Sequence, residues 1–214
     1  MASGRVVQTR ILTNEPRFNG VLQQLSVGSL YDARNLWTEG AEDLLVAKYA
    51  NPVAAAAGAL LLVQPDVLGN KNFMAGRQEL KDWFVNLYKD FLWLPEGAIC
   101  LAWLYGAGID PYSGQAMQDD AAIKRCVAEL LEEAVERGLP YYTEGLKLLR
   151  QGSDWANDLV TAETTDSVRW LAMSSVRAGP FLLIRDLCAE GGKSKSSMST
   201  KLFGDTAFWF EGGG

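Results

Sequence analysis

The sequence predicts an all-α protein, a compact multi-helix bundle, and three observations carry that prediction. The dipeptide Asn51-Pro52 joins a favoured cap to a favoured first helical residue and opens an apolar, alanine-rich run to Val63. Apolar residues recur at helical spacing over Gln78–Phe91 and again over Ile123–Val135. Glycine and proline fall between these segments and seldom inside them.

Taken in order, Val6–Leu12 is β-branched and roughly alternating, which predicts a short N-terminal strand, and Asn14, Pro16 and Gly20 predict a loop after it. Ser29 is placed to cap a helix running through Trp37, with Gly40 expected to separate it from a second helix over Ala41–Ala50. The helix from Pro52 is expected to stop before Pro65. At 1.5 Å per residue its roughly 12 residues measure about 18 Å, too short for a bilayer core of about 30 Å. Ala54 and Gly58 lie one turn apart and permit a neighbouring helix to approach closely.

Leu80, Phe84, Leu87, Tyr88 and Phe91 form one face of the next helix, with Lys81, Asp82, Lys89 and Asp90 assigned away from it. Pro95 opens a second nearly apolar helix to Tyr105, with Glu96 near its positive end. The loop from Gly106 to Gln118 contains DPYSGQ, which lacks the alternating acids of a calcium loop and is expected to be a turn. Asp119 is placed to cap a long helix that Gly138 and Pro140 stop. Further helices are expected over Pro140–Gln151, ended by Gly152, and over Glu163–Arg177, ended by Gly179-Pro180. The domain map is residues 1–27 as strand and loop, 28–188 as a helical domain of about six or seven helices, and 189–214 as a flexible linker with an aromatic tail.

Composition narrows the chemistry. With 48% hydrophobic and 21% charged residues the chain is expected to fold. A net charge of -6 argues against a phosphate-neutralising surface, so nucleic acid is not an expected partner. The absence of histidine removes Ser-His-Asp and Cys-His catalysis, HExxH metal sites and imidazole general bases. Cys100, Cys126 and Cys188 lie far apart in apolar surroundings, as reduced packing thiols do. The first residues lack the apolar core of a secretory signal, which leads to the expectation of a cytoplasmic protein.

Candidate motifs fare poorly as chemistry. Gly191–Ser194 reads GGKS, but the first glycine of a P-loop is replaced by Leu187. The acid pairs Asp119-Asp120 and Glu132-Glu133 diverge on a helix and are expected to serve as cap and solvated face. No catalytic, cofactor or metal residues are assigned, and the protein is expected not to be an enzyme. Trp83, Trp93 and Trp103 sit near the two most apolar helices and suit either core packing or a partner-binding surface. Phe208, Trp209 and Phe210, in the tail run AFWF, are the other candidate partner-binding residues.

The series YANPVAAAAGALLLV, WFVNLYKDFLWLPEGAICLAW and RGLPYYTEGLKLL resembles a helical region of bacterial multidomain proteins associated with caspase-like and other proteases, the caspase- and tetratricopeptide-repeat-associated type of domain. The resemblance covers Ala41–Leu149, and its motifs are structural. It implies a non-enzymatic component of a protease-controlled defence system, partner or cleavage substrate of a caspase-like protease. Because such proteases often cut after basic residues, it makes Lys193, Lys195 and Lys201 candidate cleavage positions. Two alternatives are a latent helical pore former released by proteolysis, with no stable membrane insertion at rest, and an enzyme working without histidine.

Overall fold

The computed structural model describes residues 16–27, 34–69, 74, 76–113, 115–178 and 180–184. Over these residues the chain is all-α apart from one short hairpin. The elements are α1 (Pro16–Val27), α2 (Arg34–Val46), α3 (Pro52–Leu62), α4 (Pro65–Leu68), α5 (Gln78–Asp90), α6 (Pro95–Gly106), α7 (Asp120–Arg137), α8 (Thr143–Trp155), α9 (Ala162–Ser174), β1 (Ser175–Ala178) and β2 (Phe181–Ile184). No helix among the described residues is long and apolar enough to cross a membrane.

The two apolar helices form the centre. Asn51 caps α3 by accepting the Ala54 N–H at 3.0 Å, Pro52 occupies the first turn, and Ala54–Leu62 are all buried. Helix α6 has its own starting proline, and nine of its twelve residues are buried. The two helices pack on each other. α1, α2 and α5 close around α3, while α5, α7 and α8 close around α6. An apolar helix surrounded in this way has no solvated face to keep polar, which is why neither sequence alternates.

Glycines set how closely the layers approach. A β-carbon on Gly58 would lie 2.4 Å from the Ala41 carbonyl oxygen, and one on Gly97 would lie 2.9 Å from Tyr88 Cα. Both positions bring backbone against backbone, α3 on α2 and α6 on α5. The long helix α7 is capped as its sequence predicts: Asp119 accepts the N–H groups of Ala121 and Ala122, and Gly138 ends it at φ 114°.

Several boundaries differ from expectation. The segment from Pro16, expected as loop, is helix α1, and Phe18, Val21, Leu22 and Leu25 are buried in the main core. Gly40 does not break the chain; α2 runs through it and stops at Val46, short of the expected Ala50. Gly152 lies inside α8 and not at its end, because Leu131 of α7 fits into the space it leaves, with Cδ1 2.8 Å from where a β-carbon would sit. Lys81 is buried, since α5 packs against both α2 and α6 and therefore buries a wider face than one apolar stripe. Helix α9 stops at Ser174, and its expected last residues form β1 of an antiparallel hairpin, Ser175 opposite Ile184 and Ala178 opposite Phe181. The predicted strand Val6–Leu12, Ser29, Cys188 and the linker and aromatic tail from 189 lie outside the described residues.

Candidate interaction surface

Four aromatic rings from three separate segments meet in one exposed file. Tyr49 comes from the turn after α2, Phe91 and Trp93 from the loop joining α5 to α6, and Tyr141 from the segment between α7 and α8. The ring centroids of Tyr49 and Phe91 are 5.8 Å apart, those of Phe91 and Trp93 6.5 Å, and those of Trp93 and Tyr141 5.9 Å; the last two pairs are edge-to-face. These are favourable aromatic geometries. Tyr49 is 68% exposed, Trp93 48% and Tyr141 40%, and neighbouring Leu92 is 64% exposed. A continuous apolar surface of this kind departs from the scattered exposure usual in globular proteins.

The base beneath the file is rigid. The Tyr49 hydroxyl donates to the Asp90 carboxylate at the end of α5. The Arg137 guanidinium donates to the carbonyls of Tyr88 at 3.0 Å and Leu94 at 3.4 Å, which lie either side of the loop carrying Phe91 and Trp93. It also pairs with Glu133 at 2.6 Å and stands 4.5 Å from the centre of the Tyr88 ring. Tyr88 in turn donates its hydroxyl to Glu133 at 2.6 Å. Burial and the bond to Glu133 push the Tyr88 phenol up to about 12. Burial alone would raise the Glu133 carboxyl, but the bonds from Tyr88 and Arg137 outweigh it and hold the group below its ordinary value. Glu133 thus belongs to a clamp, and its neighbour Glu132 accepts the Thr161 N–H at 2.8 Å at the start of α9. The two side chains diverge as expected, but each is tied to another element instead of being merely solvated.

At the Tyr141 end the file is held by Glu96, which is 0% exposed. Its Oε1 accepts the N–H groups of both Tyr141 and Tyr142, the latter at 3.1 Å, while Oε2 has no hydrogen-bond partner among the described residues. Burial raises this carboxyl to about 7, against the stabilising effect of the backbone donors. Cys100, one turn along α6, is also buried, and desolvation together with the Glu96 charge pushes its thiol well up. A thiol held protonated in this way is a poor nucleophile.

Holding these two amides sends consecutive side chains in different directions. Tyr141 lies on the surface file, whereas Tyr142 is fully buried, donates its hydroxyl to the Val53 carbonyl at 2.8 Å and stacks on Phe181 at 5.3 Å. Strand β2 completes the arrangement: Leu182 N–H donates to the Tyr141 carbonyl at 2.9 Å and Thr143 N–H to the Pro180 carbonyl at 2.9 Å.

Of Trp83, Trp93 and Trp103, Trp93 alone stands in the file. Trp83 and Trp103 are partly buried against the core, and the Trp103 indole donates to the Leu148 carbonyl at 3.3 Å, joining α6 to α8. Lys193, Lys195, Lys201, Phe208, Trp209 and Phe210 lie outside the described residues. Periodicity assigns Phe91 to the apolar face of a helix and places Tyr49 and Tyr141 inside helices, but α2 ends at Val46, α5 at Asp90 and α8 starts at Thr143, so all three rings stand in connecting segments and join the file. Glu96 left one signal, as the sole charged residue in PEGAICLAWLYG.

The DPYSGQ segment is a turn, as expected: Asp110 accepts Tyr112 N–H at 2.9 Å and the Ser113 hydroxyl at 2.6 Å. Among the described residues, no group of three or more His, Cys, Asp or Glu side chains is placed to hold a metal. No curated protein and no solved structure matches the chain. The family model of the Y4kD C-terminal domain matches residues 20–182, which span α6, the clamp and all four rings of the file. The chain therefore belongs to the Y4kD C-terminal domain family.

Proposed function

We propose that this domain is a non-enzymatic protein-interaction module that acts in the cytoplasm within a protease-controlled bacterial defence system, as partner or cleavage substrate of a caspase-like protease. The observation that carries the interaction reading is the exposed file Tyr49–Phe91–Trp93–Tyr141 on a base fixed by Glu96 and Arg137. Trp and Tyr supply large contact area at low entropic cost and dominate interface energetics. A pre-ordered set of rings also avoids much of the ordering cost of association. The protease and defence context draws on the sequence resemblance over Ala41–Leu149 and on the lysines of the linker, Lys193, Lys195 and Lys201.

The test is titration of the full chain against caspase-like proteases encoded in the same genomic neighbourhood, with mass spectrometry of the products. Expected are saturable binding weakened about tenfold or more by Trp93→Ala, and cleavage after one or more of the three lysines. Neither binding nor cleavage with any of them overturns the protease context. Binding that is unchanged by both Trp93→Ala and Tyr141→Ala overturns the assignment of the surface.

A further inference from the structure

We infer that Glu96 is a proton-operated latch on the 141–143 segment: neutral, it keeps that segment, Tyr141 of the file and the β1–β2 hairpin closed on the body, and ionised, it lets them open. The latch itself needs no partner; its consequence for binding rests on the reading of the file as an interaction surface.

The geometry carries the inference. Glu96 is fully buried, and the consecutive amides of Tyr141 and Tyr142 both donate to one of its oxygens, Oε1. Oε2 has no hydrogen-bond partner among the described residues. A neutral carboxyl suits this site, with the proton on Oε2 and Oε1 left to accept both amides. An ionised one leaves part of a negative charge on an oxygen that neither donor nor cation meets, the costly case for a buried group. That cost is relieved when the covering backbone moves away and water reaches Oε2.

The surrounding charges offer no other relief. Helix α3 contains no charged residue. The Tyr88 hydroxyl of α5 and the Arg137 guanidinium of α7 are both engaged with Glu133, and Arg137 otherwise bonds to the carbonyls of Tyr88 and Leu94. At the start of α8, Glu144 is paired with Lys147 at 2.8 Å. Cys100 on α6 and the phenols of Tyr141 and Tyr142 feel the Glu96 charge, but burial first and that charge second push all three upward, so they stay neutral around neutral pH. The amides of Glu96, Tyr141 and Tyr142 favour ionisation, yet burial outweighs them and raises the carboxyl to about 7.

The segment under this control also holds the hairpin. Leu182 N–H donates to the Tyr141 carbonyl, Thr143 N–H donates to the Pro180 carbonyl, and the Tyr142 ring stacks on Phe181. Release of residues 141–143 therefore loosens β2 and withdraws Tyr141 from Trp93, shortening the file.

Amide hydrogen exchange of the full chain, corrected for the intrinsic rate, is followed across about pH 5 to 8 for the natural protein and for Glu96→Gln. In the natural protein the opening constants at Tyr142, Thr143 and Leu182 are expected to rise about tenfold or more over this range, and in the variant by less than about twofold. The α6 amides of Leu101 and Leu104 are expected to stay at least about tenfold more protected throughout. Opening that does not change with pH in the natural protein, or that rises equally in the variant, overturns the latch. Segment amides that open no more readily than those of α6 place the change in global unfolding and overturn it as well. The carboxyl carbon shift of Glu96, read by NMR in the natural protein, needs no variant: a midpoint near 7 is expected, and one near the ordinary 4.5 overturns the inference. Because both readouts are made without a partner, failure of the latch leaves the role of the file in binding intact, and failure of the partner leaves the latch intact.

Discussion

Glu96 is the residue in which the architecture concentrates its electrostatics. A carboxyl group with an ordinary value near 4.5 ionises in the unfolded chain at that pH, whereas in the folded protein it holds its proton to about 7. Between these values the unfolded state binds fewer protons, so stability falls as pH rises through this window and stays lower above it. The full difference is about 3 kcal/mol. Glu96→Gln keeps an acceptor for the amides of Tyr141 and Tyr142 but removes the titration. Urea unfolding midpoints of the natural protein are expected to drop between pH 5 and 8 more steeply than those of the variant; parallel slopes would show that Glu96 does not titrate in this way. Glu96 was visible in the sequence only as an acid at a helix start, where a favourable dipole was reason enough for it. What encloses it comes from a distant segment: Tyr141 and Tyr142 donate their N–H groups to it, and Gly145 leaves it room, since a β-carbon there would sit 3.4 Å from its Oε1.

At the scale of elements, two glycines in neighbouring helices make opposite predictions. Gly40 lies within α2, and a β-carbon added there would meet nothing within 4 Å, so Gly40→Ala gains helix propensity without a clash and stabilises by roughly 0.5 to 1 kcal/mol. A β-carbon on Gly58 would meet the Ala41 carbonyl oxygen at 2.4 Å, so Gly58→Ala forces α2 and α3 apart and destabilises by about 1 to 3 kcal/mol or more. Thermal unfolding of the two variants checks the pair, and a Gly58→Ala protein as stable as the natural one would contradict the close α2–α3 approach. The sequence marked Gly58 as a contact because it lies one turn from Ala54 in an apolar run. It marked Gly40 as a break because glycine has low helix propensity, but packing of α2 against α3 and α1 overrides that local preference. The same override accounts for α1, whose apolar positions have a binding face only once α2 and α3 are in place.

At the scale of the whole molecule, stability is centred on α3 and α6, each enclosed by neighbouring helices. Their amides are expected to exchange with solvent only through global unfolding, while those of the β1–β2 hairpin, which joins the body through the 141–143 segment, open at lower free energy. Native-state hydrogen exchange reads this directly, and hairpin amides as protected as those of α6 would show one undivided cooperative unit. The all-α class, both central helices, the caps Asn51 and Asp119 and the stop at Gly138 were legible in the sequence, because each depends on a local propensity or on a period that a window of residues contains. The aromatic file and the buried carboxylate were not, because Tyr49, Phe91, Trp93, Tyr141 and Glu96 come from segments separated by some 40 to 50 residues, and only the packing of α2 on α5 and of α5, α6 and α7 on one another brings them together. The sequence by itself determined the all-α class and the helices that open at Pro52, Pro95 and Asp119, and it excluded chemistry that needs histidine. The tertiary structure decided which side chains share a surface, since that follows from long-range packing and not from any period along the chain.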